Sequence, residues 1–237
     1  YPLRRQRQMC IRDSFLPYIG YFQLINDVDS FVIYDNVQFS RGWINRNRFL
    51  QNDQDVLFTL PLKKDSRDLN INERLLSDNS VFIIKKILKQ LEYNYRKSPY
   101  FESVFPLIEN CFMYNNPNLF DFILYSIKNI IRFLKINTKL VISSNINIDH
   151  GLMGQDKIIE ICKNLECKTY INPIGGVGLY NVDVFNQNNI KLSFLESNFI
   201  KYRQFNDPFI PWLSIIDILM FNSIKDVVKL INDYKLK

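Results

Sequence analysis

The stretch "KLVISSNINIDHGLMGQDKIIEICKNLECKTYIN", residues 139–172, decides the fold class. Residues 139–144 form a short apolar run of strand type, and Gly151 and Gly154 punctuate the loop after it. Residues 154–166 then carry apolar side chains at helical spacing, and 167–172 return to a strand-like run. The pattern repeats downstream, with a short helix over 182–189, a strand over 190–195 and helices over 214–223 and 225–235. Strand–helix–strand repeats of this length close by right-handed crossovers. They predict an α/β fold with a mostly parallel sheet and helices on both faces.

Upstream, three long amphipathic segments (80–97, 100–114 and 118–135) predict a helical block around 80–135, a lobe over the sheet. Ser80 reads as an N-cap, and Pro99 and Pro117 sit where helices begin. Before that block, residues 15–27 read as a turn and a helix, with strands at about 30–39 and 55–64. No repeat or low-complexity linker divides 15–237, which reads as a single domain.

The chain has 237 residues, 47% of them hydrophobic, ample for one core. No apolar run reaches the ~18 residues of a membrane span, so membrane insertion is not expected. Cys10, Cys111, Cys162 and Cys167 show no metal-ligand spacing and read as reduced thiols of a cytoplasmic protein. With one histidine, a His-rich metal site is excluded, and the cofactor is not readable from the sequence.

Half of the +6 net charge falls in residues 1–14, "YPLRRQRQMCIRDS", which hold four arginines and no lysine. Their composition does not match the rest and resembles a translated sequencing adapter. They read as a non-native leader, with the natural chain beginning upstream of Phe15 and its first strand missing. Without them the balance is near neutral, which argues against nucleic acid as a partner.

Chemistry-bearing residues concentrate at 35–48: Asp35, Gln38, Arg41, Trp43, Asn45, Arg46, Asn47 and Arg48. On a strand, Arg46 and Arg48 share one face and Asn45 and Asn47 the other. Paired arginines suit phosphate or carboxylate, and Trp43 offers a stacking surface. Lys63 and Lys64, at the end of the run read as a strand at about 55–64, and Arg67 just beyond it read either as a charged turn or as a loop closing on phosphate. The glycines of "YINPIGGVGLY" (170–180) allow close backbone approach to a ligand but match no phosphate-loop spacing. Ser143, Ser144 and His150 lack a nucleophile-elbow context, and Asp217, within an apolar stripe, needs a partner if buried.

Taken in order, "FLPYIGYFQLI", "DSFVIYDNVQFSRGWINRNRFL", "INE", "SPYF", "YINPIGG" and "LSIIDILMFN" resemble the WbqC-like protein family over residues 15–234. Matching positions include Pro17, Tyr18, Gly20, Tyr21, Asp35, Gln38, Trp43, Asn45, Arg46, Asn47, Arg48, Asn72, Glu73, Gly175, Gly176, Tyr180 and Asp217. Members open with a strand ending in Gln-Pro, which is absent here. The resemblance implies a role in bacterial O-antigen and other surface polysaccharide synthesis, as a transferase that N-acylates or aminoacylates a nucleotide-linked amino sugar. The partners are then a nucleotide-linked sugar and an acyl donor.

On this reading Arg46 and Arg48 bind a diphosphate, while Tyr18 and Trp43 stack on a ring. Asn45 and Asn47 bind hydroxyls, and Asp35 is the general base. Tyr21, Gln38, Asn72, Gly175, Gly176 and Tyr180 complete the expected binding set. Two alternatives stand beside it. Phe15-x-Pro17-Tyr18-x-Gly20-Tyr21 is similar to the turn of nucleotidylyltransferases with tyrosines in place of histidines, implying a nucleotide-binding relic. A non-catalytic partner of a sugar-modifying enzyme is the other. Neither the sugar, the donor nor the oligomeric state is readable from the sequence.

Overall fold

The computed structural model describes residues 7–12, 14–40 and 42–237. Arg41 and the remainder of the 1–14 leader lie outside the described residues. The strands are β1 (Arg7–Arg12), β2 (Ser30–Tyr34), β3 (Arg46–Gln51), β4 (Gln54–Thr59), β5 (Lys139–Ile142), β6 (Thr169–Pro173), β7 (Lys191–Ser197) and β8 (Tyr234–Leu236). The α-helices are α1 (Ile19–Asp27), α2 (Ser80–Tyr95), α3 (Phe101–Phe112), α4 (Leu119–Phe133), α5 (Gly154–Asn164), α6 (Val182–Gln187), α7 (Ile215–Phe221) and α8 (Ile224–Ile231).

Six strands form one sheet in the order β5-β2-β1-β6-β7-β8. The first five are parallel, and β8 closes one edge antiparallel to β7. Because successive strand side chains point to opposite faces, a doubly covered strand is apolar at every position. β2 shows this directly. Phe31 and Ile33 enter one core with Ile171, Leu195 and α1, while Val32 and Tyr34 enter another with Tyr170, Phe194 and α5. Helices therefore cover both faces of the sheet.

Residues 7–12 occupy a central place in this sheet, between β2 and β6. Arg7 is tied there by an ion pair to Asp27 at 2.8 Å. The strand expected over 30–39 ends at Tyr34, where the chain leaves the sheet. β3 and β4 form a separate hairpin. Its two-residue loop, Asn52-Asp53, has positive φ at both positions, as a type I′ turn requires.

Helices α2, α3 and α4 form the expected helical block, bedded on one core through Leu91, Ile108, Phe122 and Ile127. The cap of α2 is Asn79 rather than Ser80. Asn118 caps α4 by accepting from the Asp121 amide. β8 is an element the periodicity missed, formed from the end of the helix expected over 225–235. Cys111, Cys162 and Cys167 are buried, and burial pushes the Cys111 pKa up to about 12.

Candidate functional site

The strand order reverses at β1: β2 and β5 extend to one side, β6 and β7 to the other. Open parallel sheets bind ligands outside the carboxyl ends of the strands at such a switch point. Here that position carries a cleft of about 570 Å³ lined by Ser14, Pro17, Tyr18, Gly20, Tyr21, Leu24, Trp43, Asn47, Arg48, Pro173 and Trp212. The turn after β1, the start of α1, the hairpin and the end of β6 all contribute.

The turn is held rigidly. Leu16 is fully buried at φ 45°, a conformation costly for a branched side chain. Its carbonyl accepts from Asn47 Nδ2 at 2.8 Å and from Ser214 Oγ at 2.6 Å. Ser214 in turn donates its amide to the Arg48 carbonyl, and Ile215 donates to the Pro17 carbonyl. Asn47 is thus a clamp between hairpin and turn rather than a free hydroxyl ligand. The Tyr18 ring lies over Gly20 where any Cβ would stand, which is why this position is glycine.

Three aromatic side chains face the opening. Tyr18, Trp43 and Trp212 are 38%, 51% and 53% exposed. Tyr18 meets Trp212 edge to face at 5.9 Å between centroids. Trp43 is covered by the Arg48 guanidinium at 5.0 Å, and Arg48 is also paired with Asp55 at 2.7 Å. Arg48 therefore orients the indole and forms a wall of the cleft. Burial raises the Tyr18 pKa above its ordinary value. Trp212, at φ 61°, carries no ligand signal in the sequence. Its stretch reads as core, and only the fold brings it beside Tyr18.

The remaining expected residues are distributed differently. Arg46 shares a strand face with Arg48 but lines a second cleft, together with Gln38 and Asn45. The two arginines do not form one fork. Asn45 is buried and donates to the Leu60 carbonyl at 2.7 Å, pinning β3 to the end of β4.

Asp35 lines neither cleft. It is 3% exposed, and its carboxylate accepts from Ser143 Oγ at 2.8 Å, Ser144 N at 3.0 Å and Asn72 Nδ2 at 2.9 Å. Burial alone would raise its pKa, but hydrogen bonds from Ser144, Ser143 and Asn72 outweigh it and hold the carboxyl below its ordinary value. The expected general base is instead a latch joining the end of β2 to the end of β5 and to the 3₁₀ turn at Ile71–Glu73. Asn72 belongs to the same latch.

Gly175, Gly176 and Tyr180 lie in and just after the 3₁₀ turn that succeeds β6, beside Pro173 but outside the cleft lining. Gly176 is required by packing, since a Cβ there would strike the Asn172 amide. Tyr180 packs against Tyr170 and Phe185. His150 is exposed and bonds to Asn36 at 2.9 Å, away from either cleft. Among the described residues, no helix is long and apolar enough to cross a membrane.

A Mycobacterium tuberculosis protein, the uncharacterized Rv1507c, is 24% identical over 212 residues, covering 88% of this chain and 90% of the relative. No solved structure matches the chain. Residues 13–229 match the WbqC-like protein family profile, from the turn before α1 to the last helix. The chain belongs to the WbqC-like protein family.

Proposed function

We propose that the protein is a cytoplasmic transferase of bacterial surface polysaccharide synthesis that N-acylates or aminoacylates a nucleotide-linked amino sugar. The observation that carries this reading is the aromatic cleft at the switch point, where Tyr18, Trp43 and Trp212 border a space of about 570 Å³. Rigid aromatic faces bind sugar and base rings at low entropic cost, and a few fixed polar groups orient them. Ser14, Arg48 and the phenol of Tyr18 are polar groups at the lining. Asp35 has no part in proton transfer on this reading and serves to position the strand ends.

The test is thermal shift and titration calorimetry with UDP- and dTDP-linked amino sugars, on the parent chain and on Trp43→Ala and Trp212→Ala. A nucleotide sugar that raises Tm by several degrees, with at least a tenfold loss of affinity in each variant, supports the reading. Binding that ignores both substitutions, or no binding, removes it.

A second reading is favoured by one feature: the first turn of α1, at Gly20 and Tyr21, faces the same cleft. A helix N-terminus there suits a nucleotide phosphate, as in a relic of a nucleotidylyltransferase. ATP or CTP binding without sugar-nucleotide binding would select it. A purely non-catalytic partner role finds less support, because a ligand-sized cleft is present.

A further inference from the structure

A second cleft, of about 660 Å³, opens where β3 begins and β4 ends, and is strongly cationic. Arg46, Lys63, Lys64, Arg67 and Arg74 line it, against the single carboxylate of Asp65. Asp78 engages Lys63 at 2.9 Å. Asp68, nearby, is occupied with Gln38 and Ser66. Among the described residues, no carboxylate pairs with Arg46, Lys64, Arg67 or Arg74.

The buried members are incomplete without a ligand. Arg74 is only 8% exposed, and its Nε has no hydrogen-bond partner. Its guanidinium carbon lies over the Phe39 ring at 4.8 Å, and its backbone is fixed by bonds to Ile71 and Leu119. Arg46 lines the same cleft, and its Nε is likewise buried without a partner. A guanidinium taken out of water with no anion beside it is costly, and nothing in the core requires one here.

We infer that this cleft seats a diphosphate. Guanidinium forks match phosphoryl oxygens. The four unpaired cations outnumber the lining carboxylate of Asp65 and leave the cleft net positive. The diphosphate bridge of a sugar nucleotide or of coenzyme A, esterified at both ends, carries a negative charge on each phosphoryl group, so both groups find cations here. The site is distinct from the aromatic cleft: Arg46 faces this one, and Asn47 and Arg48 face the other. The diphosphate arrives either on a sugar nucleotide or on a coenzyme A-type acyl donor, which share this group.

The probe is inorganic pyrophosphate, titrated calorimetrically into the whole chain at low and high salt. One saturable site is expected, weakening steeply with salt. Affinity should fall at least tenfold in Lys64→Glu/Arg67→Glu, whose side chains are exposed and do not bear on folding. Trp43→Ala should leave it unchanged, which separates this test from that of the aromatic cleft. No binding, or a double variant within twofold of the parent, overturns the assignment. UDP and coenzyme A are then used as competitors. Displacement by either upholds the site and names its source; displacement by neither overturns it.

Discussion

Tyr95 donates its hydroxyl proton to Asp217 at 2.7 Å, joining α2 to α7 across 122 residues of sequence. The same oxygen accepts the Leu50 amide of β3 at 2.8 Å. Asp217 is fully buried and also accepts from Tyr202 at 2.6 Å and Gln204 at 2.8 Å. The carboxylate that the sequence marks as needing partners has three. Tyr95→Phe leaves a buried amide and a carboxylate oxygen each short of a bond. Urea unfolding should show a loss of about 2–4 kcal/mol. A change under about 0.5 kcal/mol would mean the network does not stabilise the join.

Asp35 and Asp217 respond to acid in opposite senses. Asp35 is held below its ordinary pKa. Its contribution is therefore present above the unfolded value and is lost as pH falls through the depressed one. Burial raises Asp217 against the bonds from Tyr202, Tyr95 and Gln204. Its contribution is complete below the unfolded value and is lost as pH rises through the raised one. Asp35→Asn puts an amide donor against the Asn72 amide, or against Ser143 and Ser144. It should cost about 1–3 kcal/mol at pH 7. It should also flatten the fall in stability as pH drops below about 4, the ordinary carboxyl value, read from urea midpoints. A parent-like slope in the variant would contradict the latch.

Gly20→Ala separates ligand binding from stability. Alanine improves the helix by up to about 1 kcal/mol, while its methyl evicts the Tyr18 ring, an exposed side chain that can swing away. Tm should move by only a few degrees, yet affinity for the aromatic-cleft ligand should fall at least tenfold. Undiminished affinity would show that Tyr18 is not a wall of the binding site.

The parts of the fold legible in the sequence are those set by local pattern. The helical block and the βαβ repeat arise from periodicity in residues 80–135 and 139–195, and both cores confirm it. β8 is not legible, because a three-residue edge strand has no period to detect. The binding set is half legible. Tyr18, Tyr21, Trp43, Asn47 and Arg48 do meet in one cleft. Strand alternation puts Arg46 and Arg48 on one face, but cannot say that separate clefts open along it. Nor can spacing distinguish a carboxylate aimed at a substrate from Asp35, which is saturated by donors over 100 residues away in Ser143 and Ser144. Trp212 escapes a reading of the sequence for the same reason: its neighbour Tyr18 is remote along the chain.

The chain has two tryptophans, and both stand at the mouth of the same cleft. Indole emission, excited where tyrosine does not absorb, therefore reports optically on that cleft with no label attached. A sugar nucleotide entering there should quench or shift the spectrum, while pyrophosphate in the cationic cleft should leave it unaltered. Trp43→Phe and Trp212→Phe should each remove part of the response. A spectrum unmoved by a ligand that binds calorimetrically would place that ligand elsewhere, so the two clefts can be told apart in a cuvette before any substrate is known.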